Sequence, residues 1–88
     1  MNAISRRELR AFDREIADII VEAVNKHGVH HRMLDGRHCR LYCGDRDIIP
    51  IKISAVRPAR WTMTHLLPWL EKNVPTWLDD HEPLRGTK

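Results

Sequence analysis

The clearest hydrophobic pattern of the chain lies near its amino end. Apolar residues recur there at spacings of three and four, as on one face of a helix: Leu9, Phe12, Ile16, Ile19, Ile20, Ala23 and Val24. Ser5 and Glu8 form a capping box before this stripe, and Gly28 follows it at the place of a left-handed C-cap. The pattern predicts one helix from about Arg6 to about His27.

The middle of the chain alternates between apolar and polar residues, as strands do. The alternation predicts three short strands, over residues 29–34, 37–43 and 47–54. The turn dipeptides Asp35-Gly36 and Gly44-Asp45 separate them, which is typical of an antiparallel meander. Pro50 places the third strand at a sheet edge or at a bulge.

A second apolar stripe runs from Trp61 to Val74, where Pro75 ends it. Pro68 interrupts this stripe. Either Thr64 caps a late helix, so that Pro68 falls near its first turn, or the helix is kinked at Pro68.

The order of the elements is therefore α-β-β-β-α. We predict an α+β fold of two layers, with a three-stranded antiparallel sheet and both helices packed on one face of it. The expected domain covers residues 1–75, and residues 76–88 form a tail. Trp77 and Leu78 are the two residues of that tail able to fold back onto the core.

Strand parity assigns the side chains of the sheet to two faces. Cys39, Leu41 and Cys43 fall on the apolar side, which we expect under the helices. The other, open face then carries six polar or aromatic residues: His30, Arg32, His38, Arg40, Tyr42 and Lys52.

The charge of the chain is concentrated in the same region. The formal net charge is +3, and residues 26–60 hold eight cations against three acidic residues. Eleven of the fifteen cations are arginine, the side chain suited to bidentate phosphate contacts and to stacking on bases. A basic middle segment indicates a surface that binds a polyanion.

Several other classes of protein are not expected. No apolar run reaches the length of a membrane helix, which is about 20 residues. The amino end also lacks the apolar region of a signal peptide. We therefore expect a cytoplasmic protein that binds no membrane. In that compartment Cys39 and Cys43 are expected as free thiols. Their spacing lies on a strand and Cys39 points away from His38, so we predict no metal site and no cofactor.

Gly36-Arg37-His38, the strand after it and the downstream Pro50 carry a resemblance to a known family. Together with Thr64-His65-Leu66-Leu67 they resemble the HicA-like toxins of bacterial and phage toxin–antitoxin systems, over residues 29–73. The family has a Gly-x-His motif and a fold like that of double-stranded-RNA-binding domains. Arg37 departs from the small residue that is common at the middle position of the motif.

The resemblance implies an RNA-binding protein and an mRNA endoribonuclease with His38 as its catalytic residue. It also implies a cognate antitoxin that covers the site. The chemistry agrees, because RNA cleavage needs a base for the 2′-hydroxyl proton and histidine titrates near neutral pH. Cations are needed where negative charge develops on the phosphate oxygens, and no metal is required because the attacking hydroxyl belongs to the substrate. The residues expected to bind nucleic acid are Arg32, Arg37, Arg40, Tyr42, Lys52 and Arg57.

Two other functions remain open. The same basic face suits a non-enzymatic phage or accessory protein, which binds nucleic acid or inhibits a nucleic-acid-binding partner. Arg37 and the lack of a second obvious acid or base favour that alternative. The third is a structural protein that assembles through the tryptophan-bearing part of the chain.

Overall fold

The protein is an α+β domain in which a three-stranded antiparallel sheet is packed against helices. The computed structural model describes residues 3–35, 38–43, 47–52 and 58–81. A 3-10 helix at Arg6–Leu9 precedes α1 at Arg14–His27, and the strands follow. These are β1 at His30–Asp35, β2 at His38–Cys43 and β3 at Asp47–Lys52. The last elements are α2 at Pro58–Trp61, a π-helical turn at Thr62–Leu66, α3 at Leu67–Asn73 and α4 at Trp77–Asp80.

The prediction of one helix from Arg6 to His27 is wrong in its first half. The capping box of Ser5 and Glu8 is present, but it starts a 3-10 helix that ends at Leu9. The α-helix begins after Asp13, whose carboxylate accepts a hydrogen bond from the backbone N–H of Glu15 at 3.0 Å. Asp13 is thus an N-cap, the usual role of this residue type at a helix start.

The carboxyl end of α1 is confirmed. Gly28 adopts φ 73° and ψ 19°, and its backbone closes the helix in the left-handed conformation that glycine adopts at little cost. Asn25, in the last turns, exchanges two hydrogen bonds with the backbone of Ile4, at 2.9 and 2.8 Å. These bonds fasten the amino end of the chain to α1.

The sheet is the predicted meander, in the order β1-β2-β3. In the register, Arg32 lies opposite Arg40 and Arg40 lies opposite Pro50. An irregularity between Met33 and Asp35 brings Asp35 opposite His38. The predicted strand positions 37, 53 and 54, and the predicted turn positions 36, 44 and 45, lie outside the described residues.

The core lies between one face of the sheet and the helices. Its sheet side is formed by Cys39, Leu41, Ile49 and Ile51, all buried, while Cys43 is half-buried against them. The helices contribute the following buried residues: Ile16, Ala17, Ile20, Ala23, Val24, Leu66 and Leu70. The predicted parity of β2 therefore holds, and the domain has two layers.

The C-terminal helical segment runs without a break over residues 58–73. It starts at Pro58, so the expectation that Thr64 caps it is wrong. Pro68 lies inside it and lacks the N–H of a regular helix. Just before Pro68, the backbone N–H of Leu67 bonds to the carbonyl of Thr62, five residues back. The wider π turn is a known way to place an irregularity inside a helix.

The chain beyond Pro75 packs on the domain at least as far as residue 81. Trp77 in α4 is 2% exposed and belongs to the core, while Leu78 is 41% exposed. The division into a domain of residues 1–75 and a tail stays a prediction, and residues 82–88 lie outside the description. In the described ranges, no helix combines the length and the apolar character that crossing a bilayer requires.

Candidate functional site

The open face of the sheet, opposite the helices, has the composition expected from parity. Its side chains form rows across the strands, because directly paired residues of neighbouring strands point to the same side. One row is His30, Tyr42 and Ile48, and the next is Arg32, Arg40 and Pro50. We call these residues, together with His38, the open face.

An aromatic pair forms the first row. The rings of His30 and Tyr42 are stacked, with centroids 5.5 Å apart and planes 22° from parallel. His30 is exposed and Tyr42 is half-buried. Ile48 continues the row and is 48% exposed, so the sheet presents a flat aromatic and apolar strip to solvent.

The second row holds two arginines with like charges. Arg32 and Arg40 occupy directly paired positions of β1 and β2, and both are exposed. Among the acidic residues whose side chains are described, which excludes Asp35 and Asp47, none forms an ion pair with either guanidinium, whereas Arg6 is paired with Asp18 at 3.0 Å. Like charges directly opposite each other destabilise a sheet, so this row is a place where an anion is favourable.

His38 lies at the first position of β2 and is half-buried. It shares the face of Arg40, two residues along the strand, at a Cα separation of about 7 Å for an extended chain. Lys52 is in register with His38, and the description of Lys52 stops at its backbone. The predicted contacts Arg37 and Arg57 lie outside the described residues.

Cys39 is placed for packing and not for reaction. Its side chain is buried, and its Sγ lies 3.9 Å from the carbonyl oxygen of Arg40. Burial raises the pKa of the Cys39 thiol to about 11, and a hydrogen bond with the backbone of Arg32 only partly opposes that effect. The nucleophilic thiolate is therefore scarce at neutral pH.

A second group of arginines lies away from the sheet. Arg6, Arg7, Arg10 and Arg14 surround a cleft of about 370 Å³ next to the 3-10 helix. Arg6 is neutralised in part by Asp18. Arg7 and Arg10 are exposed, so this cleft is a second surface of the described chain that is suited to an anion.

The sequence analysis missed a cluster of charged and imidazole side chains between α1 and α4. His81 Nε2 lies 2.6 Å from Glu22 Oε2, and His27 Nε2 lies 3.7 Å from the same oxygen. Asp80 Oδ2 lies 3.2 Å from His27 Nε2 and 3.1 Å from Lys26 Nζ. The hydrogen bond from Lys26 is the main cause that lowers the pKa of Asp80.

Trp77 explains why this cluster forms. Its indole stacks on the ring of His81 at a centroid distance of 4.1 Å and contacts the ring of His27 at 5.1 Å. The periodicity of α1 places Glu22 and His27 near its end, but nothing in the sequence pattern links them to His81. Burial of Trp77 in the core makes that link.

The potential metal ligands considered from the sequence are thus not the ones that meet. Among the described residues, Glu22, His27 and His81 are the group of three whose ligand atoms all lie within 4.8 Å of one another. Glu22 and His81 lie far in the sequence from Cys39 and Cys43, the residues whose spacing argued against a metal site.

Comparison of the chain with family models, with curated proteins and with solved structures finds no match.

Proposed function

We propose that the protein binds single-stranded RNA on the open face of its sheet. The observation that carries the proposal is the pair of directly opposed arginines, Arg32 and Arg40, which have no acidic partner among the described side chains. A phosphate group between two guanidinium groups removes their repulsion and accepts hydrogen bonds from both.

The neighbouring row supports nucleic acid over a simple anion. Bases of single strands stack on exposed aromatic rings, and each stacked base contributes about 1–3 kcal/mol to binding. The His30–Tyr42 pair provides such a platform beside the arginine row. Each nucleotide of a single strand carries a phosphate and a base. The arginine row suits the phosphate, and the aromatic row beside it suits the base.

Cleavage of the bound RNA by His38 is the finer proposal, and it rests on the resemblance to HicA-like toxins and on the chemistry of histidine. The neutral imidazole takes the proton of a ribose 2′-hydroxyl, and the 2′-oxygen attacks the adjacent phosphorus. The bond to the 5′-oxygen breaks, and that oxygen takes a proton from water. The products are a 2′,3′-cyclic phosphate and a 5′-hydroxyl. The proposal gives Arg40, two residues along β2 on the same face, the role of stabilising the charge that develops on the phosphate oxygens.

The same resemblance supports two further proposals. One is a protein antitoxin, and the other is that this antitoxin covers the open face. The proposal of a cytoplasmic location rests instead on the sequence. A second candidate function is supported by Arg37, which departs from the small residue common in the motif, and by the lack of a second obvious acid or base. In that case the protein binds nucleic acid, or inhibits a nucleic-acid-binding partner, without cleaving it.

Binding is tested with a fluorescently labelled single-stranded RNA and two charge-matched variants. We expect Arg32→Gln/Arg40→Gln to lose at least tenfold in affinity and Arg7→Gln/Arg10→Gln to stay near the wild type. Equal losses in both variants, or a loss only in the second, contradict the proposed face. A DNA strand of the same sequence serves as competitor, because the 2′-hydroxyl distinguishes the two.

Cleavage is tested in the presence of EDTA with the wild type, His38→Ala and the control His65→Ala. His65 is an exposed histidine of the π turn, on the helical layer. Loss of cleavage in His38→Ala alone supports the catalytic proposal. Binding without cleavage by the wild type supports the non-enzymatic candidate.

A further inference from the structure

The cluster between α1 and α4 has the composition of a metal site. It contains two imidazoles and two carboxylates, from Glu22, His27, Asp80 and His81, and Lys26 is the cation paired with it. With neutral imidazoles, the four side chains and Lys26 sum to one negative charge. We propose that Glu22, His27 and His81 bind one zinc ion.

The first support is an unpartnered nitrogen. The side chain of His27 is 3% exposed, and its Nε2 is buried without a hydrogen-bond partner. Asp80 Oδ2 is near this nitrogen at 3.2 Å but does not satisfy it. A buried polar atom without a partner is costly, and a lone pair directed at a cation removes that cost.

The second support is the orientation of the His27 ring. Its other nitrogen, Nδ1, lies 2.7 Å from Thr76 Oγ1. If Nδ1 carries the proton and donates it to the Thr76 hydroxyl, Nε2 has the free lone pair that a metal requires. Histidine ligands of metals are held in this way, with the second ring nitrogen donating to an oxygen.

The third support is the spacing of the ligand atoms. Zinc bonds of about 2.0–2.1 Å in a tetrahedral site place ligand atoms about 3.3 Å apart. Glu22 Oε2 lies 3.7 Å from His27 Nε2, which is close to that spacing. It lies 2.6 Å from His81 Nε2, a hydrogen-bond distance that has to widen by about 0.7 Å when both atoms bind the ion. Two imidazole nitrogens with one carboxylate form a ligand set that zinc accepts in proteins.

A zinc ion here would fasten the end of the chain to α1. Glu22 and His27 belong to α1, whereas His81 follows α4 directly. None of these residues lies on the sheet, so the metal proposal does not depend on RNA binding. Because EDTA would remove the ion, the cleavage assay needs circular dichroism to verify that the protein stays folded.

Zinc binding is measured on metal-free protein by competition with a chromophoric chelator. We expect one Zn²⁺ per chain, and we expect Glu22→Gln and His81→Gln each to weaken binding at least tenfold. The matched control His65→Gln keeps the wild-type affinity. Thr76→Val, which removes only the partner of Nδ1, weakens binding about 10–100-fold.

Two further readouts identify the site and its effect. Co²⁺ in place of zinc gives the strong visible absorption of a tetrahedral site, without the charge-transfer band of a cysteine ligand. Zinc at 100 times its Kd raises Tm by about 10–20 °C, and that rise is lost in Glu22→Gln.

Two results would overturn the proposal. The first is the absence of zinc binding at concentrations below the millimolar range, which would show that the cluster consists of ion pairs alone. The second is zinc affinity that survives in Glu22→Gln and His81→Gln or disappears in Cys43→Ser. All variants are compared only where circular dichroism shows the wild-type fold.

Discussion

Arg32 and Arg40 occupy directly paired positions of β1 and β2, and none of the acidic side chains that the structure describes pairs with either. A fold that needed only a polar outer face would not require two like charges at directly paired positions. The repulsion between the two guanidinium groups therefore lowers the stability of the free protein. An anionic ligand relieves this repulsion when it binds, which adds to its affinity.

Replacement of both arginines is expected to lower the affinity for RNA without lowering the stability of the protein. We expect Arg32→Gln/Arg40→Gln to keep or raise the free energy of unfolding, by up to about 1 kcal/mol, because the repulsion is removed. RNA affinity falls, and the slope of log K against log salt becomes less steep by about 0.7, since the one phosphate held between the two arginines is no longer neutralised. Urea unfolding and binding at several salt concentrations measure the two effects. An unchanged salt slope would show that these arginines do not contact phosphate.

Tyr42 is expected to act through its ring. Tyr42→Ala removes a stacking surface and should weaken RNA binding by about 1–3 kcal/mol. Tyr42→Phe keeps the ring and should bind RNA nearly as the wild type does. Fluorescence anisotropy with the same labelled RNA measures both. Equal affinity of the alanine variant and the wild type would exclude Tyr42 as a stacking platform.

Gly28 tests the end of α1 independently of any ligand. A Cβ added there meets nothing within 4 Å, so the cost of substitution comes from φ 73° alone. Gly28→Ala should lower the free energy of unfolding by about 1–2 kcal/mol, and Gly28→Asn should cost less because asparagine tolerates this conformation better. Urea unfolding measures both. Equal losses in the two variants would mean that the backbone conformation is not the cause.

The pKa of Cys39 predicts low reactivity and a loss of stability in alkali. A rise from 9.0 to about 11 makes the thiolate fraction at pH 8 about a hundredfold smaller. Iodoacetamide should therefore modify Cys39 slowly in the native Cys43→Ser variant and rapidly once the protein is unfolded. A fast native reaction would contradict the burial of the thiol.

The sign of the pH effect follows from the same shift. The folded protein holds the thiol proton up to a higher pH than the unfolded chain does. The contribution of Cys39 to stability is complete below pH 9 and is lost as the pH rises towards about 11. Urea midpoints of the wild type and Cys39→Ala, measured between pH 8 and pH 11, should converge as the pH rises. Parallel pH profiles would contradict this linkage.

Local patterns were sufficient to predict the sheet and its two faces. Alternation along β2 separates Cys39 and Leu41 from Arg40 and Tyr42, and burial follows it. The break before α1 was missed because Leu9 and Phe12 stay buried through the turn, so the hydrophobic stripe continues across it. Asp13 was the available signal, as a favoured N-cap residue.

The contacts that depend on tertiary packing were not predictable in this way. The π turn is a response of the helix to Pro68, and the sequence left the two simpler outcomes open. His27 and His81 meet because both contact Trp77, and no periodicity of a single element reports that contact. The candidate zinc site therefore emerged only from the assembled fold.

The central claim, RNA binding on the open face, is tested most directly by NMR. Backbone amide shifts of the ¹⁵N-labelled protein are followed as single-stranded RNA is added. The account predicts that the largest changes fall on β1 and β2, around Arg32, Arg40 and Tyr42, with small changes near Arg7 and Arg10. Changes centred on the 3-10 helix, or no changes at any RNA concentration, would contradict it.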